Sequence, residues 1–230
     1  MLEFKNVSKT FGAIQALEDL SFTIESGEFV FIIGPSGAGK TSVLKLLIHE
    51  YPPTTGEIIL DGNRIDNLKA KDVPLLRQQL GIVFQDFKLL PTRTIGENIE
   101  LALAVKKVDK KEWSERVKHV LALVGLSERE HLFPAQLSGG ELQRAAIARA
   151  LVINPSLIFA DEPTGNLDWE TADGIMDLLV KINAEGKTVI VTTHNMEIIE
   201  KLKKRVIALS KGKLIPGATH HKHKKHETNS

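Results

Sequence analysis

A glycine-rich segment that ends in a lysine and a threonine carries the clearest chemistry in the sequence. Residues 34–41 read GPSGAGKT, which fits the phosphate-binding pattern GxxxxGK(S/T). Backbone N–H groups in such a loop, together with a helix N-terminus, form a concave anion site. The lysine would contact the β and γ phosphates of a nucleotide, and the threonine would bind Mg²⁺. The residues assigned to this site are Gly34, Pro35, Ser36, Gly37, Ala38, Gly39, Lys40, Thr41 and Ser42.

Two adjacent acids follow an apolar run later in the chain. Residues 157–160 read LIFA and precede Asp161 and Glu162, so the acids stand at the carboxyl end of a buried strand, where open α/β sheets have their binding sites. Burying such a pair without a function would be costly. We expect Asp161 to hold a metal shell and Glu162 to polarise an attacking water. The alternative is that both acids cap the turn at residues 163–165.

Two further polar residues can reach the same edge of the sheet. His194 follows an apolar strand and is expected to sense the γ-phosphate or to position Glu162. Gln85 closes the strand at residues 80–84, and its amide could contact both Mg²⁺ and the attacking water. Neither residue indicates a function alone. The glycine loop and the acidic pair make both of them candidates.

A second anion-binding helix start lies far from the first. Residues 137–144 read LSGGELQR, and Ser138, Gly139, Gly140 and Glu141 begin a strong helix. One nucleotide does not need two anion-binding helix starts from the same chain. The simplest use is therefore to close over a nucleotide that another copy of the chain holds. An ordinary N-cap for the following helix is the alternative.

The elements that must position these residues predict an α/β fold. Alternating apolar residues near the N-terminus predict antiparallel strands, whereas the wholly apolar run at 29–33 predicts a central parallel strand that feeds the glycine loop. A helix should follow Lys40 and stop at Tyr51. The further predicted strands are residues 57–60, 80–84, 157–160 and 188–192, followed by a closing hairpin at 206–215.

Strand signals vanish between residues 91 and 152, which predicts an inserted helical subdomain. Residues 1–90 and 153–215 would then form a P-loop NTPase core, a mixed sheet with flanking helices and an N-terminal antiparallel β subdomain. Residues 216–230, rich in histidine and lysine, have almost nothing apolar to bury and predict a disordered tail. Transition-metal binding by its histidines is the less favoured alternative to a solvated tail or a weak contact with anionic lipid.

Composition narrows the function further. A hydrophobic content of 42% is enough for a full core, and 30 Lys+Arg against 29 Asp+Glu argue against a general polyanion binder, so no nucleic acid is expected. With no cysteine, disulfides and thiolate metal sites are excluded. No apolar run is long enough to span a bilayer, so a role at the membrane would need a partner.

The motifs together resemble those of ATP-binding-cassette ATPases. GPSGAGKT, VFQD, LSGGELQR, LIFADEP, GNLD and TTHN occur in that family's order and cover residues 1 to about 215. LSGGE separates this family from other P-loop proteins. The resemblance implies a head-to-tail homodimer that sandwiches two ATP molecules with Mg²⁺, each between the glycine loop of one copy and the Ser138 segment of the other.

Individual roles follow from the same resemblance. Phe11 stands where an aromatic ring stacks on adenine, in place of the more frequent tyrosine. Gln85 binds the metal and acts as the lever toward a membrane partner, and Asp168 couples the two nucleotide sites. Glu162 is the general base, and His194 reads the γ-phosphate.

The sequence DEPTGNLD resembles the branch that serves mechanotransmitting or lipoprotein-handling membrane proteins, and residues 83–103 are particularly similar to its cell-division members. This implies an FtsX-like integral membrane partner, possible contacts with other division proteins, and a cytoplasmic position on the inner face of the membrane. We expect residues 87–90 to form an exposed apolar face for that partner. The alternatives are the ATPase of a lipoprotein-release or macrolide-efflux system, and a soluble ATP-dependent dimerisation switch.

Overall fold

Two sheets and seven α-helices make up residues 1–215, the part of the chain that the computed structural model describes. The predictions of a disordered tail and of metal binding at residues 216–230 lie outside these described residues. In chain order the elements are β1 (Leu2–Phe11), β2 (Ile14–Ile24), β3 (Phe29–Ile33), α1 (Lys40–Leu47), β4 (Thr55–Leu60), β5 (Asn63–Arg64), α2 (Val73–Arg77), β6 (Leu80–Val83), α3 (Ile95–Lys106), α4 (Trp113–Leu123), α5 (Gly139–Leu151), β7 (Leu157–Asp161), α6 (Trp169–Ala184), β8 (Thr188–Thr193), α7 (Met196–Leu202), β9 (Arg205–Ser210) and β10 (Lys213–Leu214).

The smaller sheet is antiparallel, as the alternating N-terminal pattern predicts. Its strand order is β2-β1-β4-β5. Leu2 pairs with Ile24 and Phe4 with Phe22, so apolar residues of both strands share one face. The rings of Phe4 and Phe22 stack with their centroids 4.6 Å apart. This face packs on one side of α1 and of the larger sheet in a common apolar cluster.

The larger sheet has the order β10-β9-β3-β8-β7-β6 and is parallel except for the closing hairpin of β9 and β10. Every residue of β7 and β8 is buried, as in strands that are covered on both faces, although β8 carries three threonines among its six residues. The carboxyl ends of β3, β6, β7 and β8 therefore meet at one edge. The glycine loop, Gln85 and His194 follow β3, β6 and β8, and the acidic pair begins with the last residue of β7.

Helices α3, α4 and α5 lie between β6 and β7 in sequence, as the loss of strand signals predicts. Val117, Val120 and Leu121 of α4 are buried, in agreement with the helical spacing. These helices share one apolar cluster with a face of the larger sheet, including Phe31 and Val189. Among the helices of the described chain, none combines the length and apolar composition needed to cross a bilayer.

The structure differs from the sequence prediction mainly in short elements. Helix α1 ends at Leu47, before the predicted stop at Tyr51, because His49 takes a left-handed conformation with φ of 49°. The five-residue α2, the seven-residue α7 and the two-residue β5 were not predicted. Elements of this length show too few turns or alternations for a periodic pattern to reveal them.

Candidate functional site

A cleft of about 720 Å³ lies at the carboxyl edge of the larger sheet. Its walls come from the glycine loop and the start of α1, from Gln85, Glu162 and His194, and from residues 14–16 of β2. The structure thus brings together residues that are far apart in sequence and that the motifs assigned to one site.

The glycine loop turns sharply out of β3 into α1. Gly34 has φ of 154°, and a Cβ atom there would lie 2.3 Å from the carbonyl oxygen of Leu209, so a larger residue does not fit. Helix α1 begins after Gly39, a residue with no side chain that could cap it. The first N–H groups of a helix have no intrahelical acceptor. An uncapped helix start beside this cleft therefore offers its N–H groups to an anion.

Lys40 is the cation of the cleft. Its side chain is only 8% exposed, and its Nζ lies 3.2 Å from Oε1 of Glu162. The same ammonium donates to the backbone carbonyl oxygens of Gly34 at 2.8 Å and of Pro35 at 3.3 Å. These contacts hold the positive charge at the glycine loop, where a phosphate oxygen would bind.

Asp161, the last residue of β7, makes contacts suited to a metal ligand. Its Oδ2 accepts a hydrogen bond from the Thr41 hydroxyl at 3.2 Å, and its Oδ1 accepts one from the Thr192 hydroxyl at 2.5 Å. Gln85 lines the same cleft as Thr41. Hydroxyl, carboxylate and amide oxygens are the ligands that Mg²⁺ prefers, so this donor set fits the ion.

Glu162 is held between a cation and an imidazole. Its Oε2 lies 2.6 Å from Nδ1 of His194, whereas its Oε1 faces Lys40. Its backbone takes a left-handed conformation with φ of 48°, which is unfavourable for a glutamate. The Glu162 N–H donates to the hydroxyl of Thr192 at 2.9 Å and to its carbonyl at 3.1 Å, which fixes this conformation. A carboxylate so placed can accept a proton from a water in the cleft.

The turn-capping alternative for the acids finds no support. In the described part of the chain, neither carboxylate accepts a hydrogen bond from residues 163–165. Thr192 is the contributor that the sequence analysis missed, since it contacts the Asp161 carboxylate and the Glu162 N–H. Three of the six residues of the buried strand β8 are threonines, so no local signal singles out Thr192.

The start of α5 forms a complete capping box. The Ser138 hydroxyl oxygen accepts from the Glu141 N–H at 3.3 Å, and Oε2 of Glu141 accepts from the Ser138 N–H at 2.9 Å. The pKa of Glu141 is lowered to about 2, first because its carboxylate accepts from the Ser138 N–H and next because it accepts from the Arg129 guanidinium. The N-cap reading is therefore correct for the Ser138 hydroxyl. The N–H groups of Gly139 and Gly140, in the first turn, have no intrahelical acceptor and can still bind an anion.

The Ser138 segment is not brought to this cleft in its own chain, since none of its residues lines the cleft. It packs instead on the start of α6. Asp168 caps α6 by accepting from the N–H of Thr171 at 2.9 Å and from its hydroxyl at 2.7 Å, and these bonds lower the pKa of Asp168. A Cβ on Gly140 would lie 2.3 Å from Cγ2 of Thr171. The two helix starts are thus one packed unit.

This close approach makes Gly140 sensitive to any side chain. We expect Gly140→Ala to lower stability by about 1–3 kcal/mol, because the added methyl overlaps Cγ2 of Thr171. The Tm should fall by about 2–4 °C for each kcal/mol in a chain of this size. Thermal unfolding followed by circular dichroism measures the effect.

The matched control is the double variant Gly140→Ala with Thr171→Ser. Serine keeps the hydroxyl that bonds Asp168 but lacks the Cγ2 methyl, so most of the lost stability should return. Equal Tm values for wild type and Gly140→Ala would contradict the close packing of α5 and α6.

Phe11 lies at the end of β1 and is 43% exposed. Its ring meets Tyr51 edge to face, with the centroids 4.9 Å apart, and it does not line the cleft. Ile14 and Ala16 line it instead. Stacking of Phe11 on adenine therefore stays a prediction.

The segment after Gln85 is less exposed than predicted. Phe87 and Leu89 are half-buried against the core, and only Leu90 among its apolar residues is exposed. Arg149 of α5 holds the segment by donating to the Phe87 carbonyl at 2.8 Å and to the Lys88 carbonyl at 2.5 Å. Helix α5 thus connects the Ser138 segment to the chain that follows Gln85.

Comparison with known proteins decides the family. The family model described as ABC transporter matches residues 17–165. The chain belongs to the ABC transporter family. Its ABC relatives include the cell division ATP-binding protein FtsE of Bacillus subtilis, 46% identical over 94% of this chain and 95% of that protein. The FtsE proteins of Mycobacterium tuberculosis and Escherichia coli are 45% and 42% identical, over 94% and 96% of this chain and 94% and 100% of theirs.

Solved ABC structures agree with the fold. A dimeric structure of the ABC transporter cassette MJ0796 is 40% identical, with a TM-score of 0.84 over 93% of this chain and 96% of that one. A post-hydrolysis dimer of the same cassette, bound to ADP and Pi, is 39% identical with the same TM-score and coverage. The predicted P-loop fold is confirmed, as are ATPase activity and the cell-division branch of the ABC family.

Proposed function

We propose that the chain is the ATPase of an FtsEX-type division complex. In this complex a homodimer closes on two ATP molecules and signals through an FtsX-like membrane protein to peptidoglycan hydrolases. The chain would lie on the cytoplasmic face of the membrane, held there by its partner. The position of Glu162 between Lys40 and His194 carries the catalytic part of the proposal, and the FtsE relatives support the division role.

Hydrolysis would use the residues that line the cleft. Lys40 and the N–H groups of the glycine loop bind the β and γ phosphates. Thr41, Asp161 and Gln85 would hold Mg²⁺, which supplies charge neutralisation on the phosphate oxygens when bound. Glu162 accepts a proton as water attacks the γ-phosphorus and the bond to the bridging β–γ oxygen breaks. His194 orients the Glu162 carboxylate, and the products are ADP and phosphate.

The site would be completed by a second copy of the chain. The Ser138 segment keeps free first-turn N–H groups but does not line its own cleft. In the head-to-tail arrangement these groups bind the γ-phosphate that the other copy holds. The solved relative MJ0796 is dimeric, which supports this arrangement. Under this proposal residues 91–152 act as the subdomain that carries the segment, while residues 1–90 and 153–215 act as the core.

The membrane partner would dock beside Gln85. An open groove of about 310 Å³ runs between α3 and the end of β6, and most of its lining is apolar. Leu101 and Val105 of α3 line it and are 44% and 57% exposed. Phe84, the neighbour of Gln85, forms part of its wall. An apolar helix of the partner that fills this groove would lie beside Gln85, and closure of the dimer could be transmitted to the partner there.

The test of this function is the double variant Leu101→Glu with Val105→Glu. Two carboxylates in an apolar groove should abolish co-purification with an FtsX-like protein expressed from the same operon, because docking would bury both charges. ATP hydrolysis by the isolated protein should stay within about twofold of wild type, since surface changes away from the site have small effects.

Lys118→Glu, on the exposed face of α4, is the matched charge-changing control and should leave co-purification intact. Retention of the membrane protein by the groove variant would contradict docking at α3. Drug efflux or lipoprotein release without any division phenotype in the deletion strain would instead favour the transport branch.

A further inference from the structure

We infer that Trp169 of each copy inserts into an apolar cavity beside His194 of the other copy, and so locks the closed dimer. The inference rests on the proposed homodimer and adds a specific contact to it. Two observations support it. An exposed indole belongs to the same packed unit as the Ser138 segment, and an exposed apolar cavity adjoins the glycine loop and His194.

Trp169 is unusually exposed for its type. It is the first residue of α6, directly after Asp168, and 48% of its surface is accessible. Trp113, the other of the two tryptophans in the chain, instead donates its indole N–H to the Val108 carbonyl at 3.0 Å. Large exposed aromatic residues are the side chains that most often anchor protein interfaces.

The cavity lies where β3, β8 and β9 end. It has a volume of about 380 Å³ and is open to solvent. Met196 and Ile215 at its rim are 53% and 44% exposed. Its apolar lining residues are Ile33, Pro35, Met196, Ala208, Leu209 and Ile215. A thioether beside aliphatic side chains suits an indole, because sulfur–aromatic contacts are favourable.

The Ser138 segment and Trp169 belong to the same packed unit. A Cβ on Gly140 would lie 2.3 Å from Thr171, two residues after Trp169, and one on Gly139 would lie 3.3 Å from Leu167. Any movement that presents the start of α5 to a second copy therefore presents the start of α6 as well.

The cavity in turn adjoins the nucleotide cleft that would receive the Ser138 segment of the other copy. Pro35 of the glycine loop and His194 line both the nucleotide cleft and the cavity. When the Ser138 segment of one copy reaches the glycine loop of the other, Trp169 is brought to the adjoining cavity. Two-fold symmetry repeats the contact. Each indole would then shield one Glu162–His194 pair from bulk water.

A second copy fits the cavity better than the chain that follows Ile215. Residues 216–230 read PGATHHKHKKHETNS, which is polar and basic, whereas the cavity lining is apolar. Charged side chains would lose hydration there without gaining a partner. The indole has the required apolar surface.

The experiment uses full-length protein that carries Glu162→Gln, so that ATP stays bound, and Trp113→Phe, so that Trp169 is the only tryptophan. Mg-ATP should shift the emission of Trp169 to shorter wavelength as dimers form. Trp169→Ala and Met196→Glu, tested separately by sedimentation equilibrium, should each raise the dimer dissociation constant at least tenfold. Trp169→Phe should recover part of the loss. Leu75→Ala, at an exposed apolar position on α2, is the control and should leave the dimer dissociation constant unchanged.

The outcomes separate this inference from the function on which it rests. A tight dimer that neither Trp169→Ala nor Met196→Glu weakens, or Trp169 emission that stays constant while dimers form, overturns the inference and leaves the proposed dimer standing. A parent protein that remains monomeric with saturating Mg-ATP, alone and with its membrane partner, overturns the proposed dimer itself. The double variant Trp169→Ala with Met196→Glu tests whether the two residues touch. If its dimer dissociation constant rises no more than that of the weaker-binding single variant, direct contact is supported.

Discussion

Glu162→Gln will slow ATP hydrolysis by about 10²–10⁴-fold while ATP remains bound, because general-base catalysis supplies acceleration of that size. The carboxylate lies 2.6 Å from His194 and 3.2 Å from Lys40, so it is oriented on both sides and has little freedom to leave the cleft. Glutamine keeps the shape of the side chain but cannot accept the proton of the attacking water. Binding contacts of the glycine loop are unchanged, so ATP-bound dimers should accumulate. Single-turnover release of phosphate and size-exclusion chromatography with Mg-ATP measure the two effects.

Glu185→Gln is the control for this experiment, because Glu185 is an exposed acid after α6 and away from the cleft. It should hydrolyse ATP at the wild-type rate. His194→Ala should hydrolyse ATP at a rate between those of Glu162→Gln and Glu185→Gln, since it removes the group that orients Glu162 but leaves the base. Full turnover by Glu162→Gln would exclude Glu162 as the base and would require another acceptor for the proton.

The glycine loop and the acidic pair, which carry most of the proposed catalytic residues, could be located because each adjoins a strong local pattern. Gly34 to Thr41 follow a wholly apolar strand and precede a helical pattern, and the acidic pair ends another apolar strand. Their proximity could also be predicted, since the carboxyl ends of parallel strands share one edge. What the sequence leaves open is the contribution of residues whose position depends on strand pairing.

Thr192 illustrates this limit. It pairs with Asp161 only because β7 and β8 are parallel neighbours in a register that sets these two residues side by side. In this register the Thr192 hydroxyl donates to the Asp161 carboxylate and accepts from the Glu162 N–H, which fixes the left-handed conformation of Glu162. No local pattern encodes such a contact, because it depends on two strands separated by a helix.

Ser138 illustrates a different limit, in which two predictions are compatible. A serine before two glycines predicts an N-cap and also an anion site, and the sequence offers no way to choose. The capping box uses the Ser138 hydroxyl, the Glu141 N–H and the Glu141 carboxylate. It leaves the first-turn N–H groups of Gly139 and Gly140 for a ligand. The cap is therefore compatible with the proposed anion site, because it fixes the first turn and does not use these two N–H groups.

Lys40→Ala should weaken ATP binding by about 10–100-fold, because a hydrogen bond to a charged group contributes about 1.5–3 kcal/mol. The ammonium is almost buried and is held over the glycine loop by the Gly34 carbonyl. Its loss removes the positive charge nearest to Glu162, so the carboxylate then stands beside the phosphates without a neutralising cation. Both effects oppose binding of a triphosphate. Isothermal titration calorimetry with Mg-ATP measures the change.

Lys40→Arg tests whether charge alone explains the effect. The guanidinium keeps the charge, but its planar fork is larger than an ammonium, and the Lys40 side chain is only 8% exposed. We therefore expect arginine to restore little of the affinity. Lys45→Ala on the same helix removes a lysine that pairs with Glu50 at the surface, and it should leave ATP affinity unchanged. Wild-type affinity in a folded Lys40→Ala protein would show that the loop N–H groups bind the phosphates unaided, and the role assigned to the lysine would have to be withdrawn.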